Sequence, residues 1–239
     1  MIKGFFNTVL YEPLYNGLVF LIDIVPFADV GIAVVILTLA VKLVLFPLSI
    51  KMVKTQIAVR TLEPEIAKIK EKHKGNSQEQ ARQMMALYKE RGVNPFSGIL
   101  LLFVQIPIIF ALYFVFFRGL PIINVDILYS FIPVPTEVNM HFLGLIDMSM
   151  KSVILAAMAG ATQYFQMKFA LPKMEARKDN PSFKEDLSRS FQMQMRYILP
   201  IVVLVIAYVI SSAVALYWTT SNLFQIGQEV YVRRNIKKN

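Results

Sequence analysis

The chain lacks cysteine altogether, and it contains only two histidines among its 239 residues. The first absence excludes disulfide bonds, thiolate metal sites, a cysteine nucleophile and lipid attachment through an N-terminal cysteine. Both histidines, His73 and His141, lie outside the long apolar runs. Those runs also lack an aspartate pair, a Ser–His pair, an HExxH motif and a glycine-rich phosphate loop. The sequence therefore argues against an intramembrane enzyme, and we expect neither a cofactor nor a metal.

Apolar residues are what the chain has in abundance. They make up 56% of it, and the mean hydropathy is +0.52. Several apolar runs approach about twenty residues, the length that an α-helix needs to cross a bilayer. We predict an all-α, polytopic membrane protein with five transmembrane helices, an N-terminal interfacial amphipathic helix and a cytoplasmic helical hairpin. A transporter would be expected to show internal repeats, and none is clear here.

The boundaries follow from the apolar runs and their interruptions. Ser211 and Ser212 divide the last run, which is too long for one crossing. The segment before Val30 is apolar for only about a dozen residues, which favours an interfacial helix over a crossing or a signal peptide. The predicted segments are the interfacial helix 1–29, the spans 30–50, 95–118, 152–171, 196–211 and 212–232, the cytoplasmic hairpin 51–94, the extracytoplasmic loop 119–151, the cytoplasmic loop 172–195 and the short basic tail 233–239.

The distribution of Lys and Arg predicts the orientation. These residues crowd the segment 51–94, the segment leading into the fourth span, and the tail, whereas the loop 119–151 contains only Lys151 beside three acids. By the positive-inside rule, the N-terminus lies outside and the C-terminus in the cytoplasm, as an odd number of spans requires. The net charge of +9 is thus explained mostly by topology, and no specific nucleic-acid sequence is expected as a partner.

Segment 51–94 has the pattern of a helical hairpin. Apolar residues recur at helical spacing on two arms, separated by Gly75-Asn76: Leu62, Ile66 and Ile69, then Ala81, Met84, Met85 and Tyr88. Ser77 with Gln80 predicts a capping box, and Gly92 a helix stop. The hairpin is either a solvated element whose charges enforce topology or a docking surface for a cytoplasmic partner. Its candidate docking residues are Lys68, Lys70, Lys72, Arg82, Lys89 and Arg91.

Lys42 lies in the middle of the apolar run 30–50. A cation at the centre of a spanning helix costs roughly 2.5–3.5 kcal/mol even on the most lenient scale, so such residues usually mark function. At about 1.5 Å per residue, Lys42 is roughly 12 Å from the Ile50 end. It therefore faces either a water-filled cavity or, by snorkelling, the nearer membrane surface. Thr38 lies one turn earlier on the same face.

Further polar side chains occur within the predicted spans. Gln105 precedes Pro107 in the second span, and the third contains Thr162, Gln163 and Gln166. In the last span a polar and aromatic face repeats at steps of four, three and four: Trp218, Asn222, Gln225 and Glu229. Each residue alone is explained by an interhelical hydrogen bond. Together with Lys42 they favour a hydrophilic cavity that opens inward.

The order of four motifs is specific. A span with TLAVKLVLFPLSIK precedes a charged hairpin ending QMMALYKERGVNPFSG, which is followed by a span with LLFVQIPIIFALYFVF and a terminal hairpin with LYWTTSNLFQIGQE. From about Pro13 to Arg234 the chain resembles the YidC family of bacterial membrane protein insertases, which has mitochondrial and chloroplast relatives. The resemblance implies a groove open to cytoplasm and lipid but closed to the outside. This groove would take the polar segment of a nascent membrane protein partway across while the apolar segment enters lipid.

The resemblance also implies roles for single residues and for partners. Lys42 fills the position of the family's groove cation, which is usually arginine, so that charge is kept but the bidentate fork is lost. The implied groove residues are Lys42, Thr38, Gln105, Gln163, Gln166, Trp218, Asn222 and Gln225. The implied location is the bacterial cell (inner) membrane. The implied partners are nascent membrane proteins and lipids, with a ribosome, a targeting receptor and a Sec-type translocon as further candidates.

Two features depart from the family pattern, and two other functions stay open. We expect no large extracytoplasmic domain before the core and only a short tail after it, and therefore no ribosome binding through a long basic tail. An anion or solute channel could use Lys42 as its selectivity charge, and sustained anion conductance without client would identify it. A scaffold that only assembles membrane complexes would tolerate an apolar residue at Lys42.

Overall fold

The computed structural model describes residues 2–94, 97–118, 120, 122–171 and 189–236. These residues are mostly α-helical, which confirms the all-α class. The chain forms two compact units, one made of Met1–Val44 with Pro107–Val230 and the other of Leu45–Ile106 with Tyr231–Asn239. Most of the predicted cytoplasmic loop, residues 172–188, lies outside the described residues.

The first unit begins with two short helices and a longer one. α1 spans Ile2–Phe6, a π-helical turn follows at Asn7–Tyr11, and α2 spans Glu12–Ile24. Glu12 and the adjacent proline suit the first turn of α2, where a negative charge is favourable and a missing N–H costs nothing. Leu18 and Ile22, one turn apart, are fully buried on the face of α2 that packs against α3, Val30–Val44. The helix predicted to lie in the interface therefore has one face within the protein core.

The predicted first span, 30–50, is not one helix. α3 ends at Val44, and α4, Phe46–Thr61, begins after Leu45. Pro47 lies in the first turn of α4, where its missing N–H and fixed φ are tolerated. In the interior of a continuous helix the same proline would remove a hydrogen bond and clash with the preceding turn. The chain thus breaks at Leu45, two residues before the proline, although the apolar run predicted a single span.

In the described part of the chain, four more helices follow the hairpin, and their residues between Pro107 and Val230 belong to the first unit. α7, Ser97–Arg118, contains Pro107, and α8 spans Val153–Ala170. A continuous helix, Arg189–Ile210, has a π-helical turn at Gln194–Ile198 before its regular part, α9, Leu199–Ile210. Pro200 is the second residue after this turn. A proline ring crowds the carbonyl four residues earlier, here that of Arg196, and the wider π-helical turn gives it room. α10 spans Ser212–Ile236.

Contacts between these helices give their directions. The Tyr164 and Tyr197 ring centroids are 6.0 Å apart, and a Cβ built on Gly160 would lie 2.9 Å from the Leu204 Cβ. The Ser212 hydroxyl donates to the Met150 carbonyl over 2.7 Å. Contacts that advance along α9 therefore move backward along α8, so these helices are antiparallel. Asn222 of α10 contacts Ala159 and Thr162, so α10 runs parallel to α8.

The loop between α7 and α8 folds into a short hairpin. β1, His141–Phe142, pairs antiparallel with β2, Ile146–Asp147, with His141 opposite Asp147. The Phe142 ring occupies the space that any side chain on Gly31 of α3 would need. Glycine at position 31 thus allows the hairpin to rest directly on the start of α3.

The second unit has its own small core. α5, Glu63–Lys72, and α6, Ser77–Glu90, pack around Leu62, Ile66 and Leu87. Ala81 and Met85, two of the apolar residues that recur at helical spacing on the second arm, are exposed. The N-cap of α6 is Asn76 rather than the predicted Ser77, because the Asn76 Oδ1 accepts from the Glu79 N–H over 3.0 Å. Gln80 donates its amide to the Lys70 and His73 carbonyls instead of completing a capping box.

Within the described parts of the chain, one helix is by itself long and apolar enough to cross a bilayer, Arg189–Ile210. Within the same residues, a second crossing is possible only if two helices together form one broken span, Val30–Val44 and Phe46–Val59. A shorter apolar helical stretch is Ile106–Phe116. Large apolar side chains along Arg189–Ile210, including Ile201, Val205 and Val209, are exposed in the isolated chain. Such a surface suits lipid rather than water. The predicted five crossings stay a prediction.

Candidate functional site

Lys42 and Thr38 lie one helical turn apart on α3, and both are buried. The exposed fraction of Lys42 is 6%. A lysine that snorkels along the lipid-facing surface would be exposed in the isolated chain, so the cation points into the protein. The Thr38 hydroxyl donates to the Val34 carbonyl over 2.7 Å, which satisfies its proton and leaves lone pairs that can accept.

Two of the predicted groove residues on α8 contact each other. The Gln163 Nε2 donates to the Gln166 Oε1 over 3.2 Å, and Gln163 is buried. One turn apart on a helix, these amides form an ordinary i,i+3 pair.

Asn222 joins α10 to α8. Its Nδ2 donates to the Thr162 Oγ1 over 3.3 Å and to the Ala159 carbonyl over 3.5 Å. This is the interhelical hydrogen bond that the sequence offered as the plain explanation of such residues. Asn222 therefore positions the two helices, whatever else it contacts.

Along α10 the buried polar surface is broader than the predicted stripe. Trp218 and Gln225 are half-buried, while Asn222 and Glu229 are buried. Three further polar residues are also buried, and the sequence reading missed them: Thr219, Ser221 and Gln228. These three residues lie outside the helix face that contains Trp218, Asn222, Gln225 and Glu229. A search of the sequence for one polar helix face therefore does not include them. Within the described residues, the Gln228 Nε2 is buried without a hydrogen bond to protein.

Gln105, the remaining predicted groove residue, lies on α7 in the second unit. Its side chain is outside the described residues. The structure thus brings Gln163 to Gln166 and Asn222 to Thr162, and it places Thr38 and Lys42 together on α3.

The six candidate docking residues differ in their surroundings. The Arg91 Nη2 bonds both carboxylate oxygens of Glu65, at 2.9 and 3.0 Å, and the Arg82 Nε lies 3.0 Å from the Glu79 Oε2. These guanidinium groups are engaged within the hairpin. The lysines are less constrained: Lys68, Lys72 and Lys89 are exposed, and Lys70 is half-buried. Hydrogen bonds from Gln83 and Arg82 hold the pKa of the Glu79 carboxyl below its ordinary value.

Two buried polar residues that the sequence reading did not select clamp the loop between α7 and α8. Asn16 of α2 donates its amide to the Glu12 and Ile127 carbonyls, each over 2.8 Å, and its Oδ1 accepts from the Tyr129 N–H over 2.7 Å. The neighbouring Tyr15 hydroxyl accepts from the Asn124 N–H over 2.7 Å. α2 therefore holds residues 124–129 through backbone groups.

Asp29 is the second clamp and also the N-cap of α3. Its Oδ1 accepts from the Ile32 N–H over 3.0 Å, and its Oδ2 accepts from the Leu143 N–H over 2.7 Å. An aspartate directly before an apolar helical run is a recognised N-cap signal, so the capping role could have been found from the sequence. The contact with Leu143 could not.

The fold and these residues define a class. A bilayer-length helix with an exposed apolar surface, combined with a lysine and several amides buried among helices, is typical of an α-helical integral membrane protein. Among the described residues, no group of three His, Asp or Glu could hold a metal ion.

Comparison with known proteins names the family. The family model described as 60Kd inner membrane protein matches residues 21–239. A Clostridium tetani protein called membrane protein insertase YidC is 32% identical over 209 residues, covering 87% of this chain and 84% of the relative. Proteins of the same name are 30% identical over 227 residues in Fusobacterium nucleatum, covering 94% and 97%, and 35% identical over 218 residues in Clostridium acetobutylicum, covering 87% and 76%. The chain belongs to the YidC family.

Proposed function

We propose that this protein is a membrane protein insertase of the bacterial cell membrane, which accepts hydrophilic segments of nascent membrane proteins in an inward-open polar groove. The burial of Lys42 within the apolar helix α3 carries the proposal. Burying a cation in a membrane helix costs desolvation free energy, so such residues usually serve a function. The relatives from Clostridium and Fusobacterium are named as insertases. None of those three is named as a channel.

The mechanism follows from solvation. A hydrophilic segment entering hydrocarbon loses its hydrogen bonds to water at a cost of several kcal/mol per polar group. Polar side chains and water in a groove reduce this cost, and the fixed charge of Lys42 attracts Asp and Glu in the entering segment. The client's own apolar helix then moves into lipid, which contributes about 25 cal/mol per Å² of apolar surface removed from water. No nucleotide is needed.

The groove residues take different roles in this proposal. Lys42 supplies charge, and the Thr38 hydroxyl, whose proton is held by Val34, supplies acceptor lone pairs. The half-buried Trp218 and Gln225 are accessible enough to contact a client. Gln163, Gln166 and Asn222 make the groove polar. Asn222 also fixes the spacing of α8 and α10 through its hydrogen bond to Thr162. Gln105 is proposed for the groove on the resemblance alone.

Orientation and partners belong to the same proposal. Five crossings place the N-terminus outside and the C-terminus in the cytoplasm, supported by the scarcity of Lys and Arg in 119–151. The hairpin then lies in the cytoplasm. Its exposed Lys68, Lys72 and Lys89 suit an acidic partner such as a ribosome, a targeting receptor or a Sec-type translocon.

Substitution of Lys42 tests the mechanism in an insertion assay with paired clients whose translocated segments are acidic or neutral. Lys42→Arg is expected to retain insertion, because charge survives. Lys42→Leu is expected to impair it, most for acidic clients, and Lys42→Glu more strongly through like-charge repulsion. Lys168→Leu, which removes an exposed lysine near the end of α8, is the matched control and should behave as the parent.

The leucine variant should also accumulate to the level of the parent, because removing a buried charge relieves desolvation. Normal accumulation with impaired insertion separates a functional lysine from a structural one. If Lys42→Leu inserts acidic clients as well as the parent does, the lysine has no part in client recognition and this mechanism is wrong.

A further inference from the structure

Two tight turns at the start of α3 expose large apolar side chains. The first is the turn Pro26–Ala28, in which Phe27 is 88% exposed. The second is the β1–β2 turn, in which Leu143 and Leu145 are 62% and 82% exposed. Phe27, Leu143 and Leu145 are called the apolar turn pair below. Turns exposed to water usually carry Gly, Asn, Asp or Ser at such positions.

The backbone of both turns is strained. Phe27 has φ +61° and Leu143 has φ +51°, in the left-handed region that non-glycine residues adopt only rarely. Strained backbone persists where the surrounding structure enforces it, and it is concentrated at functional positions. Here two bulky apolar residues occupy conformations that suit glycine or asparagine, and both residues point outward. Packing within the protein does not account for them.

The two turns are fixed to each other. The Asp29 Oδ2 accepts from the Leu143 N–H over 2.7 Å, the Asn139 N–H donates to the Ala28 carbonyl over 3.1 Å, and the Val30 N–H donates to the Asn139 carbonyl over 3.0 Å. The Phe142 ring rests on Gly31. The apolar turn pair is therefore a preorganised surface rather than two independent loops.

Its neighbours along the chain are apolar and exposed as well. Phe20 and Ile24, one turn apart on α2, are exposed directly before the Phe27 turn. α3, the first part of the broken candidate span, begins at Val30 directly after it. The apolar turn pair thus lies at the start of an apolar helix of a membrane protein. Interfacial elements bury their apolar side chains at this depth, where the lipid headgroups meet the acyl chains.

We propose that the apolar turn pair inserts into the acyl-chain region of the outer leaflet and anchors the start of α3 there. The proposal rests on the orientation given under the proposed function. Lys42 follows Val30 by twelve residues of α3, or about 18 Å along the helix at 1.5 Å per residue. An anchor at the start of the helix therefore sets the depth at which the groove cation is held.

Spin labels measure this depth directly, because the chain has no native cysteine. Phe27→Cys and Leu145→Cys, each carrying a nitroxide, are placed in the full chain in bilayers of phosphatidylethanolamine and phosphatidylglycerol. The ratio of collision with oxygen to collision with a water-soluble nickel chelate is then compared with that of Thr136→Cys, an exposed polar position in the same loop. We expect a severalfold higher ratio at Phe27 and Leu145. Ratios equal to that of Thr136 would overturn the proposal and indicate a protein partner for the surface.

A second measurement uses the unmodified protein, in case a labelled variant does not fold. Lipids with a photoactivatable diazirine on the acyl chain should label the peptides that contain Phe27 and Leu143–Leu145. Absence of label there, while the exposed face of Arg189–Ile210 is labelled, would refute insertion.

Sidedness is tested separately. A membrane-impermeant maleimide applied to intact cells should react with Thr136→Cys. Protection of that cysteine would overturn placement in the outer leaflet, even if the labels are in lipid. None of these readouts depends on Lys42 or on client insertion, so failure of the anchor and failure of the insertase proposal are distinguishable.

Discussion

Replacing Asp29 by alanine tests whether one carboxylate joins α3 to the loop between α7 and α8. The buried side chain accepts two backbone hydrogen bonds, from Ile32 within α3 and from Leu143 in the loop. Alanine at position 29 leaves the sequence of α3 unchanged, but its side chain cannot accept a hydrogen bond from either N–H group. The substitution therefore removes the N-cap of α3 and leaves the Leu143 N–H without its partner.

The magnitude follows from these two losses. Loss of an N-cap costs about 1 kcal/mol, and loss of a hydrogen bond to a charged acceptor costs about 1.5–3 kcal/mol. We expect Asp29→Ala to lower the free energy of unfolding by about 3 kcal/mol. Asp29→Asn keeps one acceptor oxygen and should lose about half as much. At about 2–4 °C per kcal/mol for a chain of this size, the alanine variant should melt about 6–12 °C below the parent.

Thermal unfolding in detergent micelles, followed by circular dichroism, measures the difference. Asp126→Ala is the control: this aspartate lies in the same loop, is exposed, and should change the free energy of unfolding by less than about 0.5 kcal/mol. The reasoning is refuted if Asp29→Ala and Asp126→Ala melt together, because the carboxylate would then contribute nothing to the junction.

Two further predictions concern other parts of the chain. Gly160→Ala places a Cβ 2.9 Å from the Leu204 Cβ, so we expect it to lower the free energy of unfolding by about 1–3 kcal/mol. Gly227→Ala, which has open space around it, should leave the free energy of unfolding unchanged or raise it by up to about 1 kcal/mol. Equal effects of the two substitutions in thermal unfolding would contradict the α8–α9 packing. Hydrogen bonds hold the pKa of the Glu79 carboxyl below its ordinary value. The ionised carboxylate therefore stabilises the hairpin at pH above the ordinary pKa, and this stabilisation is lost as pH falls through the lowered pKa. In a ¹³C NMR titration, Gln83→Met should raise the pKa of Glu79, and an unchanged pKa would exclude the Gln83 hydrogen bond as the cause of the shift.

The sequence could predict the features that depend on neighbours along the chain. Helical class follows from apolar runs of bilayer length, and the turn between α9 and α10 lies where Ser211 and Ser212 were taken to divide the last run. The polar character of Lys42 and Asn222 within apolar runs is visible without any structure. What each of them contacts is not.

Features that depend on distant backbone groups could not be predicted. Asn16 and Asp29 bond to loop residues more than a hundred positions away, and their partners are N–H and C=O groups that every sequence carries. The break at Leu45 was missed for a different reason. Pro47 fits both a kinked helix and the first turn of a new one, and only the surrounding packing decides between them.

The clamps of the loop have a consequence for the order in which the protein folds. Asp29 and Leu143 are separated by 114 residues, and at about 5–20 residues per second the ribosome needs roughly 6–23 s to make the intervening chain. From the completion of α3 at Val44 until residues 124–129 are made, α2 and α3 lack every backbone partner that this loop later supplies. The start of α3 gains its own partners, Asn139 and Leu143, later still. A protein that we propose to assist unfinished membrane proteins thus spends the first part of its own synthesis as an unfinished one.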